Sequence, residues 1–385
     1  MRYVSSAADD SQRAAEYIGR DDVMTSVIKN SDGMVCALAA FNEIETGQLL
    51  SEFGDLETAA YFRKKSTGRI VLIQEICCQP GPDCERMIQM VLTEVLADAA
   101  GRDATYGVCR LQERGISAEV ANVLERQGFT KMDTVSERAD IYEVSMKAPV
   151  VIIDNMDTVL KEPFSENSRI LDVLDKAHKD MQTALTHLYP GNLVLSFDAG
   201  VMNQKIVHML TSANGVPDHP IAKRTLGECM CVPFSKTMRG AVMPNTVTKA
   251  LHTEKVFNPE LDGFVIEEYP MYSTISDQVK TIRSFGRPVI LVDDILHKGY
   301  RLRALAPVFS RNDLKIRKII TGIMSGQGKD LMTVQGREAE SAYFIPDLRA
   351  WFVSSTMYPF IGGDGVRSEE KTEANLIPSI NLVLP

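Results

Sequence analysis

Residues 288–294 read PVILVDD: four apolar residues in a row, then two acids. A strand apolar only at alternate positions can lie on a surface, whereas one apolar at every position must be covered on both faces. Such a strand belongs in a parallel sheet between layers of helices, and its surroundings agree. From residue 191 the order is strand (NLVLSFD), helix (AGVMNQKIVHMLTSANG), strand (GECMCVPF), a long insert, PVILVDD, a helix from near Tyr300, and the strand IRKIITGIM. This alternation predicts an α/β fold with a doubly wound parallel sheet, whose ligands gather at the carboxyl ends of the strands.

Asp293 and Asp294 stand at such an end, followed by Leu296, His297, Lys298, Gly299, Tyr300 and Arg301. A glycine permits close backbone approach, and the start of a helix offers unpaired N–H groups to an anion. Two readings follow. Either a phosphorylated ligand sits over the bend, or the acids end a buried strand and pair with Lys298 and Arg301 as an ion cluster.

The stretch VILVDDILHKGYRL resembles the phosphoribosyl-pyrophosphate motif of the type I phosphoribosyltransferases. The resemblance covers about residues 165–335. It implies that Asp293 and Asp294 hold the ribose hydroxyls and that Leu296, His297, Lys298, Gly299, Tyr300 and Arg301 enclose the 5′-phosphate. By the same resemblance, Asp198, Ala199 and Gly200 in SFDAGVMNQ touch pyrophosphate, and Lys236 and Arg239 in VPFSKTMRG stabilise it as it departs. Residues at about 240–285 correspond to a hood that closes over the site. The loop departs from the family in lacking Thr or Ser hydroxyls, offering cations instead.

The implied activity is that of a pentosyltransferase: ribose phosphate moves from phosphoribosyl pyrophosphate to an unknown acceptor. Mg²⁺ enters through the substrate, with Asp293 or Asp294 as its nearest protein oxygens. A binding protein of regulatory or assembly type, holding the ligand without turnover, is the alternative. Near the chain end, Tyr343, Phe344, Trp351, Phe352, Tyr358 and Phe360 form an aromatic stretch, read as a strand from Tyr343 to Val353 or as a base-stacking surface.

The first part reads differently. DGMVCALAAFNEI, GQLLSEFGD and GRIVLIQEICC are expected strands, CERMIQMVLTEVLADAA a helix, ATYGVCRL a strand, ISAEVANVLERQGF a helix ended by Gly128, and ADIYEVSM a last strand. This order, ending in ANVLERQGFTKM, resembles the GCN5-related N-acetyltransferase fold over about residues 25–147, which implies a mixed sheet. In that family the loop after the third of these strands holds the coenzyme A pyrophosphate. Here it is Gln79, Pro80, Gly81, Pro82, Asp83 and Cys84. Pro82 lacks an N–H and Asp83 adds negative charge, so a module that is not catalytic is expected, with Glu75 at the position of a general base in some members. An acyl-coenzyme A-dependent acetyltransferase is the second alternative.

The expected division is therefore residues 1–147, a connector at 148–168 beginning in KAPVVIID, and a phosphoribosyltransferase-like domain over 169–385. The net charge of −9 lies mostly before residue 150 and argues against nucleic acid as a partner. Seven cysteines without a C-x-x-C pair fit a reducing compartment, with buried thiols serving as small apolar residues. Six histidines, all after residue 170, form no ligand pair. No apolar run reaches the roughly 20 residues of a membrane span, so a cytoplasmic protein without membrane contact is expected. Oligomeric state, a homodimer among the options, is open.

Overall fold

The computed structural model of the protein describes residues 23–30, 32–112, 117–132, 139–160, 162–221, 225–235, 243–260, 262–269, 272–357, 365–368 and 371–374. The chain forms two compact units that interleave in sequence. One comprises Met1–Ile152, Asp175–Phe197 and Ile345–Trp351; the other comprises Ile153–Leu174, Asp198–Phe344 and Phe352–Pro385.

The first unit is built on a mixed sheet. β1 (Met24–Lys29), β2 (Val35–Ile44) and β3 (Arg69–Cys78) are antiparallel neighbours, and β4 (Ala104–Gln112) runs parallel to β3. After the short β5 (Thr130–Lys131) comes β6 (Ala139–Asp154), antiparallel to both β4 and β5. The stretch GQLLSEFGD is helical rather than extended, forming α1 (Leu49–Phe53). Its last residue, Asp55, opens α2 (Leu56–Lys65) by accepting from the backbone N–H groups of Glu57 and Thr58 at 3.2 and 2.8 Å. A cap of this kind selects a helix start over a strand. KAPVVIID is no connector either. It continues β6, and Val150 to Ile153 are fully buried, as an all-apolar run requires.

Two further helices, α3 (Cys84–Gly101) and α4 (Ala118–Arg126), belong to that part. The chain then passes through α5 (Met156–Val159) and α6 (Ser168–Leu188) to β7 (Asn192–Asp198). The sequence places β7 at the head of the second sheet, but it pairs with β6 in the first. Two anchors explain this. Val194 N donates to Gln127 O at 3.0 Å, and the Asn192 side chain donates to the carbonyls of Lys147 and Ala148 at 2.9 and 3.0 Å. Gly128, with φ of 88°, makes the approach feasible, since a Cβ there would lie 2.3 Å from Asn192 O.

The second unit contains α7 (Ala199–Ala213), β8 (Met230–Pro233), β9 (Val247–Thr248), β10 (Thr253–Phe257), β11 (Phe264–Glu268), α8 (Ile275–Ser284), β12 (Val289–Leu296), α9 (Tyr300–Arg311), β13 (Ile316–Ser325), α10 (Gly326–Val334) and β14 (Ala339–Ile345). Its sheet has the order β14-β13-β12-β8-β9, with β9, β8, β12 and β13 parallel in succession. β12 is central and buried along its whole length. Val289 and Leu291 pack in one cluster with Met230 and Val232 of β8, Phe234 just beyond it, and the apolar stripes Val279/Ile282 of α8 and Leu302/Leu305/Phe309 of α9. Each such side chain contributes about 1.5–3 kcal/mol by leaving water. On the opposite face, Gly322 of β13 lies against Met202 of α7.

The 240–285 insert holds the antiparallel pair β10–β11 and α8. The aromatic stretch near the end is not one strand. Pro346 has no N–H to donate, and a turn in which Leu348 N donates to Ile345 O (3.3 Å) separates β14 from β15 (Ala350–Val353). Tyr343 is buried, and Lys205 Nζ lies 4.1 Å from its ring centre; Tyr358 and Phe360 lie outside the described residues. No described helix is long and apolar enough to cross a membrane.

Candidate functional site

Side chains alternate along β12, so its two adjacent acids, followed in the strand by Ile295 and Leu296, diverge. Asp293 follows Val289 and Leu291 toward α9, and Asp294 turns to the other face. Both are buried, at 5% and 4% exposure. Asp293 Oδ1 accepts from Arg301 Nη1 at 2.8 Å and from Asp294 N at 3.0 Å, while Asp294 Oδ1 accepts from Ile295 N at 2.9 Å. The Arg301 guanidinium, 5.9 Å from the Phe234 ring centre, is itself largely covered. Transfer of a phosphoribosyl group requires both acids to face the ribose. Here Asp293 faces inward and its first partner is a residue of its own chain.

The bend is anchored from below. Leu296 belongs to the apolar core, and the His297 carbonyl accepts from Ser325 Oγ at 2.9 Å. Gly299 caps α9 with φ of 67°, and a Cβ added to it would stand 2.2 Å from Leu331 Cδ2 of α10. Only Lys298 and Tyr300 of the bend are exposed, and the Tyr300 ring meets Phe264 of β11 edge-on at 5.8 Å. This brings one strand of the insert to the loop.

Asp198 Oδ1 accepts from Val201 N at 2.9 Å and so caps α7; Ala199 beside it is buried and Gly200 exposed. Lys236 and Arg239 lie outside the described residues. The structure thus brings Asp293 and Arg301 together, whereas that bond of Asp198 serves its own helix. Sequence reading missed Thr321, the register partner of Asp293 on β13, and Ser235 just beyond β8. Each is fully buried, with a hydroxyl oxygen lacking a hydrogen-bond partner among the described residues. A lone hydroxyl inside the apolar run IRKIITGIM was the available signal for Thr321.

Burial pushes the Asp293 carboxyl well above the ordinary carboxylate range; Arg301 offsets part of the rise and Asp294 adds to it. A carboxyl raised in the native state keeps its proton to higher pH than in the unfolded chain. Stability therefore falls as pH rises from the ordinary value of 3.8 through the native one. Asp293→Asn removes that fall, so the variant's stability relative to the parent is expected to climb with pH across this range. Urea midpoints from about pH 4 to about pH 7 check it, and a difference that stays flat contradicts it.

In the first unit, the parallel register of β3 with β4 runs from Arg69/Ala104 to Ile73/Cys109, yet β3 continues to Cys78 on its β2 side. The two strands part beyond Ile73, next to Glu75 and the loop into α3. Pro82 and Asp83 of that loop are exposed, and the Asp83 side chain makes no cap to α3. Elsewhere in this unit a polar groove of about 380 Å³ lies between α4 and α6, lined by Asn122, Arg126, Lys179 and His187 among others. Its cations Arg126 and Lys179 are held by Glu85 at 2.9 and 3.0 Å.

No protein-family model matches the sequence, and no curated protein does. Among solved structures, the chain is similar to an agmatine N-acetyltransferase mutant in its apo form, with 12% identity over 36% of this chain and 83% of that one, at a TM-score of 0.25. A histone acetyltransferase HPA2 and related acetyltransferase structure from Corynebacterium glutamicum gives 15% identity over 35% of this chain and 70% of the other, at a TM-score of 0.21. Likeness of this size assigns neither fold nor activity.

Proposed function

We propose that the chain is a binding protein of regulatory or assembly type for phosphoribosyl pyrophosphate or a related sugar phosphate, seated at the carboxyl ends of β8 and β12. The supporting observation is the pair of buried acids in the last four residues of the central strand of a parallel sheet, with the left-handed Gly299 and the start of α9 beyond the strand's end. Burying two carboxyls is costly, and chains tend to retain such groups where a ligand uses them. Turnover by the pentosyltransferase route asks both carboxylates to face the ribose, and the Arg301 contact to Asp293 favours binding over catalysis.

Asp293 does not favour a metal in this arrangement, because the Arg301 guanidinium 2.8 Å from its Oδ1 already supplies the positive charge there and would repel a second cation. No group of three or more His, Cys, Asp or Glu side chains among the described residues fits one either. Mg²⁺ would enter with the pyrophosphate, held by phosphate oxygens and water. Lys298, exposed on the bend, would meet the 5′-phosphate.

A second reading, acyl transfer from a coenzyme A thioester in the first unit, is favoured by the parting of β3 and β4 beside Glu75 and opposed by Pro82 and Asp83. Thermal unfolding separates the two, because a ligand that binds the native state raises its stability. Phosphoribosyl pyrophosphate with Mg²⁺ is expected to raise the midpoint without release of pyrophosphate. A rise with acetyl-coenzyme A alone would transfer the function to the first unit, and steady pyrophosphate release would restore the enzyme.

A further inference from the structure

Three cysteines depart from the expectation of buried, inert thiols. Cys77, Cys109, Cys229 and Cys231 are buried, but Cys36, Cys78 and Cys84 are half-exposed. Two of these frame the loop between β3 and α3. Cys78 ends the strand and Cys84 opens the helix, with Gln79-Pro80-Gly81-Pro82-Asp83 between them. The Cys78 sulfur does not point into the core. It lies 3.4 Å from Gln79 O and 3.5 Å from Cys84 O. A residue's carbonyl oxygen stands about 2.4 Å from its own Cα, so that sulfur is within about 6 Å of the Cys84 Cα, and rotation of the two side chains with a small shift of the loop is what brings the sulfurs to the roughly 2 Å of a bridge.

The other thiols nearby are directed elsewhere. Cys77 projects to the opposite face of β3, its sulfur 3.7 Å from Glu75 Oε1, and the Cys36 thiol donates to Met34 O at 3.6 Å. The loop start is fixed by Gln79, whose N donates to Cys36 O (2.8 Å) and whose Nε2 donates to Val35 O (3.0 Å). The loop end is fixed by Cys84 N donating to Gly81 O (3.2 Å). With no cluster of metal-ligand type among the described residues, a metal-thiolate site is not the reading.

We propose that Cys78 and Cys84 form a redox-active pair, a modification site at which a small disulfide writes an intramolecular bridge across the loop. The Cys84 thiolate attacks one sulfur of the small disulfide, forming a mixed disulfide and expelling one thiolate. Cys78, its proton lost to solvent, then attacks the Cys84 sulfur and expels the second thiolate. Two protein thiols are oxidised and one small disulfide is reduced to two thiols. The bridge ties the end of β3 to the first turn of α3.

The test treats the reduced, folded full chain with oxidised glutathione, blocks remaining thiols with iodoacetamide in denaturant, and maps the tryptic peptide of residues 70–86. The expected product is that peptide lighter by two hydrogens and carrying one alkylated cysteine, Cys77, with dithiothreitol restoring all three sites. Cys36→Ser leaves the result unchanged, and Cys84→Ser abolishes it. Alkylation of all three cysteines in the native arm, a bridge that includes Cys36 or Cys77, or a bridge that forms only in denaturant overturns the proposal.

Discussion

Arg301→Met is expected to lower the unfolding free energy by about 3–5 kcal/mol near neutral pH, because it strands a buried carboxyl without its cation. Asp293 cannot reach water by a rotamer change, since it lies in a strand buried along its length, with Asp294 N already bonded to its Oδ1. The loss is expected to shrink as pH falls. With the guanidinium gone, nothing offsets burial, and the carboxyl escapes its charge by taking a proton. Urea midpoints near pH 8 and near pH 5.5 measure both effects. The double variant Asp293→Asn/Arg301→Met removes the stranded charge and is expected to recover most of the lost stability. A single variant as stable as the parent would mean that the pair does not hold the end of β12.

Gly128→Ala carries the second large effect. Its φ of 88° costs an alanine about 1–2 kcal/mol. The new Cβ would also stand 2.3 Å from Asn192 O and 3.3 Å from Asn192 C. Both are backbone atoms, so no rotamer change relieves the contact, and overpacking adds about 1–3 kcal/mol. A total of about 2–5 kcal/mol is expected, together with loosening of β7, whose Val194 N–H reaches the carbonyl next to this glycine. Amide hydrogen exchange at Val194 reads the loosening directly. A stable variant with Val194 still protected would show that β7 is held to the first unit by other means.

Local patterns carried much of the architecture. The all-apolar VILV of β12 and VVII of β6 are both fully buried, as a run without a polar face dictates. What failed was partner choice. NLVLSFD was legible as a buried strand, but nothing within it says which sheet it joins; Gln127, Gly128 and the side chain of Asn192 decide that. GQLLSEFGD misled because Leu49 and Phe53 fit either period, and what closes the helical turn is Gly54, left-handed at φ of 67° with its N–H on Leu50 O. At the candidate site the residue types were legible and their directions were not. Asp293 and Arg301 were named as partners of a ligand, or of each other, and the choice rests on where α9 places a guanidinium eight residues downstream.

The central claim is that the end of β12 receives a sugar phosphate. A calorimetric titration of the folded chain with phosphoribosyl pyrophosphate and Mg²⁺, run beside Asp294→Asn, addresses it most directly. Saturable binding is predicted for the parent and a loss of about tenfold or more for the variant, in line with about 1.5–3 kcal/mol for a hydrogen bond to a charged group. Equal affinity in both proteins, or no binding heat in the parent at millimolar ligand, contradicts the account.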